Sequence, residues 1–255
     1  MSGSRYYSAS RAGLITMQKM WNVKKPDIDL QNKLSRELGI STLLAQLLIN
    51  RKISTLQQGR RFLSCSLSDL HDPFLLKDMA KAVSRIKKAV MDKEKIVIWG
   101  DYDVDGLTAT ALLKKILLKM GCHVEHYIPH RAEEGYGLNA IAAKKLHRDG
   151  AKLIITVDCG INSYKEVDLL NSLGADVIIT DHHQPLKVLP KAFCIINPQQ
   201  DSCEYPFKYL AGVGIAFKLS QALTGEDLFE HLDLVALGTV SDIVPMKDEN
   251  RILVK

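Results

Sequence analysis

Three apolar runs, each followed at once by acidic residues, constrain the fold of this chain more than any other feature. Continuous β-branched runs are typical of strands that are covered on both faces. Segments with helical periodicity near 107–120, 138–148 and 165–173 separate them, which predicts an α/β fold with a parallel sheet, right-handed crossovers and flanking helices. The runs and their endings are Ile96-Val97-Ile98 before Asp101-Tyr102-Asp103-Val104-Asp105-Gly106, residues 152–157 before Asp158, and residues 176–180 before Asp181-His182-His183.

The acidic endings are candidates for a metal site. Ligands of parallel sheets bind beyond the carboxyl ends of the strands, and alternate side chains of an extended segment share a face, so Asp101, Asp103 and Asp105 can converge. Converging carboxylates repel one another unless a cation neutralises them, and hard divalent cations prefer oxygen ligands. An acidic turn containing Gly106 is the alternative for the first ending alone. Three endings at one rim favour a polynuclear metal site.

A fourth candidate, Asp242, lies within the apolar segment 237–245. A buried lone carboxylate is costly unless it is paired or bound to a metal. The alternative is an aspartate that ends a helix and caps local amides. Spacing alone leaves both interpretations open.

With these motifs in order, the chain resembles the DHH phosphoesterases, and within them the bacterial RecJ branch. The resemblance covers about residues 21–255. Three parts of the chain resemble RecJ rather than the small DHH enzymes. They are the stretches Tyr127–Asn139 and Tyr205–Gly214 and the segment around Asp72-Pro73 and Met79. The matching stretches are Asp101–Gly106, Val157–Ile161, Asp181–His183, Gly238–Pro245, Tyr127–Asn139 and Tyr205–Gly214.

The resemblance implies a Rossmann-like DHH sheet with an N-terminal helical lead-in. It also implies a metal-dependent exonuclease that degrades single-stranded DNA from the 5′ end to 5′-mononucleotides, in DNA repair and recombination. The implied cofactors are two Mn²⁺ or Mg²⁺ ions, and two such ions can clamp both reacting oxygens of an in-line displacement. The ligands that it implies are Asp103, Asp105, Asp158, His182 and Asp242, with Asp158 as the bridge.

Three further residues receive catalytic roles from the resemblance. His183 is expected at the scissile phosphate, and Asp181 is expected to orient the histidine pair, as carboxylates commonly do for metal-bound imidazoles. Asp101 is expected to be an outer-shell group or a weak ligand. Many DHH proteins have a histidine where this chain has Trp99, so the resemblance leaves open whether Asp101 or water completes one metal shell.

Candidate nucleic-acid contacts are Arg131, Lys208 and Arg251 for phosphates and Tyr136 for a base, because stacking holds single strands without regard to sequence. The net charge of +5 permits DNA binding but does not by itself indicate it. The alternatives are solvated surface cations and a tyrosine packed in a tight turn.

We expect three parts: a flexible extension at 1–20, a helical lead-in at 21–93, and the DHH domain at 94–255. The first 20 residues contain Arg5, Arg11 and Lys19 but no acid, which is compatible with an organellar transit peptide. We favour a flexible extension because no other feature of the sequence points to an organelle. We expect the chain to be an N-terminal catalytic part that lacks the family's C-terminal domains.

The remaining features concern compartment and partners. Five cysteines without a Cys-x-x-Cys pair indicate reduced thiols, so we expect a cytoplasmic protein. No run is long and apolar enough to span a membrane. The resemblance implies single-stranded DNA as the partner, with a single-strand-binding protein and a helicase. Two rivals stay open: a DHH phosphodiesterase acting on short oligonucleotides or cyclic dinucleotides, and a non-catalytic scaffold.

Overall fold

The computed structural model describes residues 25–255. Their contacts divide the chain into two compact units, the first ending at Arg60 and the second comprising Arg61–Lys255. The extension expected at 1–20 lies outside the described residues. The domain boundaries expected after residues 20 and 93 stay predictions.

Three helices open the described chain: α1 (Ile28–Leu38), α2 (Thr42–Asn50) and α3 (Leu56–Ser64), which crosses the boundary between the units. In the sequence, Ser41 and Ser54 stand before segments with helical periodicity, where serine is a favoured helix cap. Ser41 does cap α2, since its side chain accepts a hydrogen bond from the amide of Leu44. For α3 the cap lies one residue later, at Thr55, whose hydroxyl accepts from the amide of Gln58 at 3.2 Å.

The second unit alternates strands and helices after two short 3₁₀-helices, Leu67–Asp69 and Pro73–Leu75. Its elements follow the order α4 (Met79–Met91), β1 (Lys95–Gly100), α5 (Val104–Lys119), β2 (Val124–Tyr127), α6 (Ala140–Arg148), β3 (Ala151–Val157), α7 (Tyr164–Ser172), β4 (Asp176–Thr180), β5 (Cys194–Ile196), α8 (Gly212–Thr224), the 3₁₀-helix Phe229–His231, α9 (Leu232–Ser241) and α10 (Asp248–Val254).

The five strands form one sheet in the order β2-β1-β3-β4-β5, and every pairing is parallel. The predicted parallel α/β sheet is therefore confirmed, and β1, β3 and β4 are the three apolar runs. The sequence analysis did not identify β2 and β5. Both are short edge strands, and β2 carries the polar Glu125 and His126 rather than a continuous apolar run.

Side chains of alternate residues in β1 enter two different cores, as the period of a strand requires. Ile96 and Ile98 pack with residues of α4, α5 and α8, whereas Val97 and Trp99 pack with residues of α6 and α7. Helices on both faces explain why the central strands read as continuous apolar runs. Among residues 25–255, no helix is long and apolar enough to cross a membrane.

Candidate metal centre

The site lies where the strands β1, β3 and β4 end. Asp101, Asp158 and Asp181 each directly follow the last residue of one of these strands. The chain order reverses between β1 and β3, and a parallel sheet opens a crevice at the carboxyl ends of the strands at such a point. The topology therefore delivers three acidic residues to one crevice, as the sequence predicted.

The first motif continues from the strand end into the first turn of α5. Asp103 is the N-cap of this helix, and its side chain accepts a hydrogen bond of 3.0 Å from the amide of Gly106. Helices favour aspartate at this position because it satisfies an otherwise unpaired amide. The Gly106 amide at the start of α5 is thus already bonded to the Asp103 carboxylate.

Asp105 lies in the same turn but is almost fully buried. Its two carboxylate oxygens accept hydrogen bonds from the first amides of α8, Gly212 at 2.6 Å and Val213 at 2.8 Å. The positive end of a helix dipole favours a carboxylate at this place. Burial is nevertheless the larger effect and raises the pKa of Asp105 to about 6. The side chain is therefore fixed in position, but its negative charge is only partly compensated.

Two glycines allow the surrounding helices to approach the carboxylates closely. A Cβ at Gly212 would lie 2.7 Å from atoms of the Asp158 side chain. A Cβ at Gly238 in α9 would lie 2.4 Å from the Thr108 hydroxyl and 3.0 Å from Asp105. These helices can reach the crevice only because both positions lack a side chain.

Asp158 lies at the centre of the cluster and has a left-handed backbone, with φ of 62°. Such a conformation is uncommon outside glycine and clusters at functional sites. Its side chain is 2% exposed, and burial together with the carboxylates of Asp105 and Asp103 raises its pKa to about 10. The Nε2 atom of His182 lies 3.1 Å from the Asp158 Oδ1 atom.

Asp181 organises the second histidine. Its Oδ1 atom accepts from the amides of His182 and His183 and from the His183 Nδ1 atom at 2.8 Å, while its Oδ2 atom accepts from the amide of Ile161. Burial acts to raise the pKa of Asp181, but the hydrogen bonds and charge of His183 outweigh it and lower the pKa. The Asp181 hydrogen bond in turn raises the pKa of His183 to about 9. At neutral pH the pair holds a fixed imidazolium.

Asp242 completes the cluster from another direction, as the residue that ends α9. Its carboxylate lies 3.7 Å from the His182 Nε2 atom, and burial raises its pKa. Asp242 thus ends a helix and also faces the cluster, and its role as a metal ligand stays a prediction. Asp101 is buried as well, and burial raises its pKa too.

The candidate ligands form three overlapping groups in which the ligand atoms lie within 4.8 Å of one another. Asp158 belongs to two of these groups, which is the position a bridging carboxylate requires. The groups are Asp158 with His182 and His183, Asp105 with His182 and Asp242, and Asp101 with Asp103 and Asp158.

The chemistry of this donor set fits divalent metal ions. The Asp101 Oδ1, Asp158 Oδ1 and His182 Nε2 atoms are buried and form no hydrogen bond with residues 25–255, because the 3.1 Å contact between the last two atoms lacks hydrogen-bond geometry. Unpaired buried polar atoms are costly, and oxygen with imidazole nitrogen suits Mn²⁺ and permits Mg²⁺. The structure thus brings together all the predicted ligands and catalytic residues, while their individual roles stay predictions.

Trp99, which replaces the histidine of many DHH proteins, does not take part in this cluster. It is fully buried in the core beneath α6 and α7, with its ring 4.8 Å from that of Tyr127. Because side chains alternate along β1, Trp99 lies on the face of the sheet that α6 and α7 cover, not on the face that α5 and α8 cover.

The predicted nucleic-acid residues Arg131 and Tyr136 lie next to the cluster, on the loop between β2 and α6. The Arg131 guanidinium lies 5.2 Å from the ring centre of Tyr102. The Tyr136 hydroxyl donates to the Asp158 carbonyl at 3.1 Å and lies 3.2 Å from the His183 Nδ1 atom. The ring of Tyr136 therefore borders the site while its hydroxyl contacts two site residues.

Glu134, which the sequence analysis did not single out, holds this loop in place. Its carboxylate accepts hydrogen bonds from the Tyr127 hydroxyl, the His130 amide and the Asn139 side chain. Its presence between Arg131 and Tyr136 in the sequence was the available signal.

Lys208 and Arg251, the other predicted phosphate contacts, have partners in the protein itself. The Lys208 ammonium donates to the Cys203 carbonyl at 2.5 Å. The Arg251 guanidinium lies over the Phe62 ring and donates to the Phe62 carbonyl. These contacts place both cations against backbone carbonyls rather than in the cluster.

Comparison with known proteins matches residues 95–239 to the DHH family, N-terminal domain. The single-stranded-DNA-specific exonuclease RecJ of Bacillus subtilis (strain 168) is 46% identical over 240 residues, which cover 94% of this chain and 30% of that protein. The chain thus spans less than a third of the length of that relative.

Two solved structures agree with this match. RecJ of Thermus thermophilus in complex with Mn²⁺ has a TM-score of 0.75 at 29% identity, covering 91% of this chain and 33% of that one. A second exonuclease RecJ bound to manganese has a TM-score of 0.65 at 38% identity, covering 70% of this chain and 46% of that one. This chain belongs to the DHH family and is similar to the N-terminal part of the RecJ exonucleases.

Proposed function

We propose that this chain carries the catalytic centre of a metal-dependent exonuclease, which hydrolyses phosphodiester bonds of single-stranded DNA from the 5′ end and releases 5′-mononucleotides. The observation that supports this most is the overlap of the three ligand groups, two of which share Asp158 and two of which share His182, together with buried ligand atoms that form no hydrogen bond with residues 25–255. The relatives named for this activity, and their manganese complexes, support the same assignment. Because the chain spans only part of those relatives, the activity of the whole protein is part of the proposal.

Asp103, Asp105, Asp158, His182 and Asp242 would hold two Mn²⁺ or Mg²⁺ ions, with Asp158 shared between them. When bound, such ions polarise a phosphoryl oxygen and make water a stronger nucleophile near neutral pH. The α8 amides fix Asp105 in its ligand position. Because water would be the nucleophile, no serine, cysteine or lysine nucleophile is needed.

His183 would contact or polarise the scissile phosphate. Its Nδ1 atom is held by Asp181, so the ring is oriented and the remaining ring nitrogen is free to face a substrate oxygen. Because its pKa is raised to about 9, the imidazolium persists at neutral pH in the metal-free protein. This arrangement favours an anion next to His183.

The loop that carries Arg131 and Tyr136 would hold the single strand. Arg131 offers a guanidinium to a phosphate, and the half-exposed Tyr136 ring offers a face for a base. Lys208 belongs to the same proposal, although releasing it for DNA requires breaking its bond to the Cys203 carbonyl.

The cellular setting follows from the same proposal. We place the protein in the cytoplasm, in DNA repair and recombination. A single-strand-binding protein and a helicase are the partners that would expose the single-stranded substrate.

The first test combines calorimetric Mn²⁺ titration with cleavage of a 5′-labelled long single strand, a matching duplex and a dinucleotide. We expect the long single strand to be degraded, and Asp158→Ala to lose both metal binding and cleavage while the circular dichroism spectrum is unchanged. Preferential cleavage of the dinucleotide would instead indicate an oligonucleotide phosphodiesterase. Metal binding without any cleavage would indicate a non-catalytic scaffold.

The second test separates the two histidines. His182→Ala is expected to weaken Mn²⁺ binding, because its Nε2 atom belongs to two ligand groups. His183→Ala is expected to lower turnover at saturating Mn²⁺ more than it lowers metal affinity. Equal loss of metal affinity in both variants would contradict this division.

A further inference from the structure

A second concave site lies at the C-terminal end of α8, and we call it the α8 groove. Its volume is about 410 Å³, which is within the usual range of binding clefts. Its walls are the segment before and within the 3₁₀-helix Pro73–Leu75, the last turn of α8, and the segment that follows it. The lining residues are Leu67, Ser68, Leu70, His71, Asp72, Pro73, Phe74, Gln221, Gly225, Glu226, Asp227 and Phe229.

Two aromatic side chains of the groove are exposed. Phe74 is 51% exposed and Phe229 is 38% exposed. Phe229 begins the 3₁₀-helix Phe229–His231, and Phe74 lies within the 3₁₀-helix Pro73–Leu75. The Asp72 side chain caps the latter helix by accepting a hydrogen bond of 2.9 Å from the Phe74 amide. Exposed aromatic rings on fixed backbone are typical anchors of protein interfaces, because little conformational freedom is lost on binding.

The rim of the groove is negative. Asp72, Glu226 and Asp227 are all lining residues, and the carbonyl end of the α8 dipole adds partial negative charge. Lys119 pairs with Glu226 at 2.8 Å, whereas among residues 25–255 no cation pairs with Asp72 or Asp227, which therefore carry the excess negative charge of the rim. Lys218 beneath the groove does not offset that charge, because Glu249 neutralises it at 2.7 Å. The groove is thus a local reversal of sign in a chain of net charge +5.

The same helix connects the groove with the metal centre. The N-terminal amides of α8 bind Asp105, and Gln221 and Gly225 at its other end line the groove. A helix of 13 residues is about 20 Å long. An occupant of the groove therefore leaves the metal centre open.

We propose that the α8 groove binds a segment of a partner protein that inserts a large apolar side chain between Phe74 and Phe229 and carries lysine or arginine on either side. The rings supply apolar contact, and the carboxylates and the helix terminus attract the cations. Negative charge at the rim repels DNA phosphates, which sets the groove apart from the proposed DNA path.

The test uses a fluorescein-labelled synthetic peptide with a tryptophan-leucine core flanked by lysine and arginine. A peptide with glutamate in place of the cations, and one with serine in place of the core, are the matched probes. Fluorescence anisotropy is measured with the full chain at low and high salt. We expect the cationic peptide to bind at least about tenfold more tightly than either probe, with an affinity that falls as salt increases.

Variants locate the binding. Phe229→Ala and Phe74→Ala, each alone, are expected to lower the affinity for the cationic peptide about tenfold. The double variant Glu226→Gln and Asp227→Asn is expected to make that affinity less dependent on salt. Ile141→Ala is the matched control, because Ile141 on α6 is 85% exposed and lies outside the groove. Circular dichroism melts confirm that each variant is folded.

Several outcomes would overturn the proposal. They are equal binding of the cationic and acidic peptides, no binding of the cationic peptide, no effect of either phenylalanine substitution, and displacement of the peptide by a single-stranded oligonucleotide. A concentration-dependent dimer of this chain that Phe229→Ala abolishes would assign the groove to a second copy and also overturn it. None of these outcomes depends on nuclease activity, so the proposed function is tested separately.

Discussion

Asp158→Asn is expected to stabilise the metal-free protein while abolishing Mn²⁺ binding. Asp158 is buried, its Oδ1 atom has no hydrogen-bond partner among residues 25–255, and its pKa is raised to about 10 by burial and by the neighbouring carboxylates of Asp105 and Asp103. Without metal, the native state therefore holds this side chain protonated at neutral pH. Asparagine has nearly the shape of a protonated aspartate but needs no proton from solution.

The magnitude follows from linkage. The ordinary pKa of this carboxyl group is 3.8, so the side chain is ionised in the unfolded chain at pH 7. Folding must therefore bind a proton at a pH that is about 3 units above the pKa of the unfolded chain. At 1.36 kcal/mol per unit, the ceiling of this penalty is about 4 kcal/mol. Because the native state binds more protons, the penalty is absent near pH 4 and grows as pH rises toward about 10.

The assay is urea unfolding in the presence of EDTA at several pH values, paired with calorimetric Mn²⁺ titration. The free energy of unfolding of Asp158→Asn should exceed that of the unsubstituted protein by an amount that increases with pH. Asp27→Asn is the matched control, because Asp27 is exposed, caps α1 and does not belong to the cluster. A variant that is less stable than the unsubstituted protein in EDTA, or a difference that does not change between pH 5 and pH 8, would refute the reasoning.

Three further substitutions test features outside this carboxylate. Lys218→Met should lower the free energy of unfolding by about 3–5 kcal/mol in urea denaturation, because it leaves the fully buried Glu249 carboxylate without its cation; a loss below about 1 kcal/mol would contradict this. Tyr136→Phe removes one hydrogen bond of about 1 kcal/mol, to the Asp158 carbonyl, and the hydroxyl that lies beside the His183 Nδ1 atom, so turnover should fall about fivefold while calorimetric Mn²⁺ affinity is unchanged; unchanged turnover would exclude a role for the hydroxyl. Ile243→Gly should raise the free energy of unfolding by about 1 kcal/mol, because Ile243 has φ of 57° and is 88% exposed, and a lower thermal midpoint would show that its side chain stabilises the fold.

Local patterns determined the central architecture. The runs that became β1, β3 and β4 are predictable because strands covered on both faces need continuous apolar residues. Their acidic endings are predictable as one rim because the carboxyl ends of parallel strands meet. The resemblance carried by the motifs supplied the remaining predicted ligands, including Asp242, for which spacing alone left two interpretations.

The edge strands show the limit of such patterns. β2 has polar residues on its exposed side, and β5 has only three residues, so neither produces a run that differs from a loop. Their strand geometry comes from pairing with a neighbour, β1 for β2 and β4 for β5. The cap of α3 is Thr55 rather than the expected Ser54. Both residues have a hydroxyl that can cap a helix, so the sequence alone does not distinguish them.

The sequence by itself determined which residue types reach the rim of the sheet, but the tertiary structure decided how they are held. Asp105 is bound by amides 107 and 108 positions away in the chain, and no local pattern links a carboxylate to a distant helix terminus. The α8 groove likewise joins the segment 67–74 to residues near 221–229. Periodicity and capping act over a few residues, whereas these contacts depend on how the whole chain packs, and only the folded chain brings their partners together.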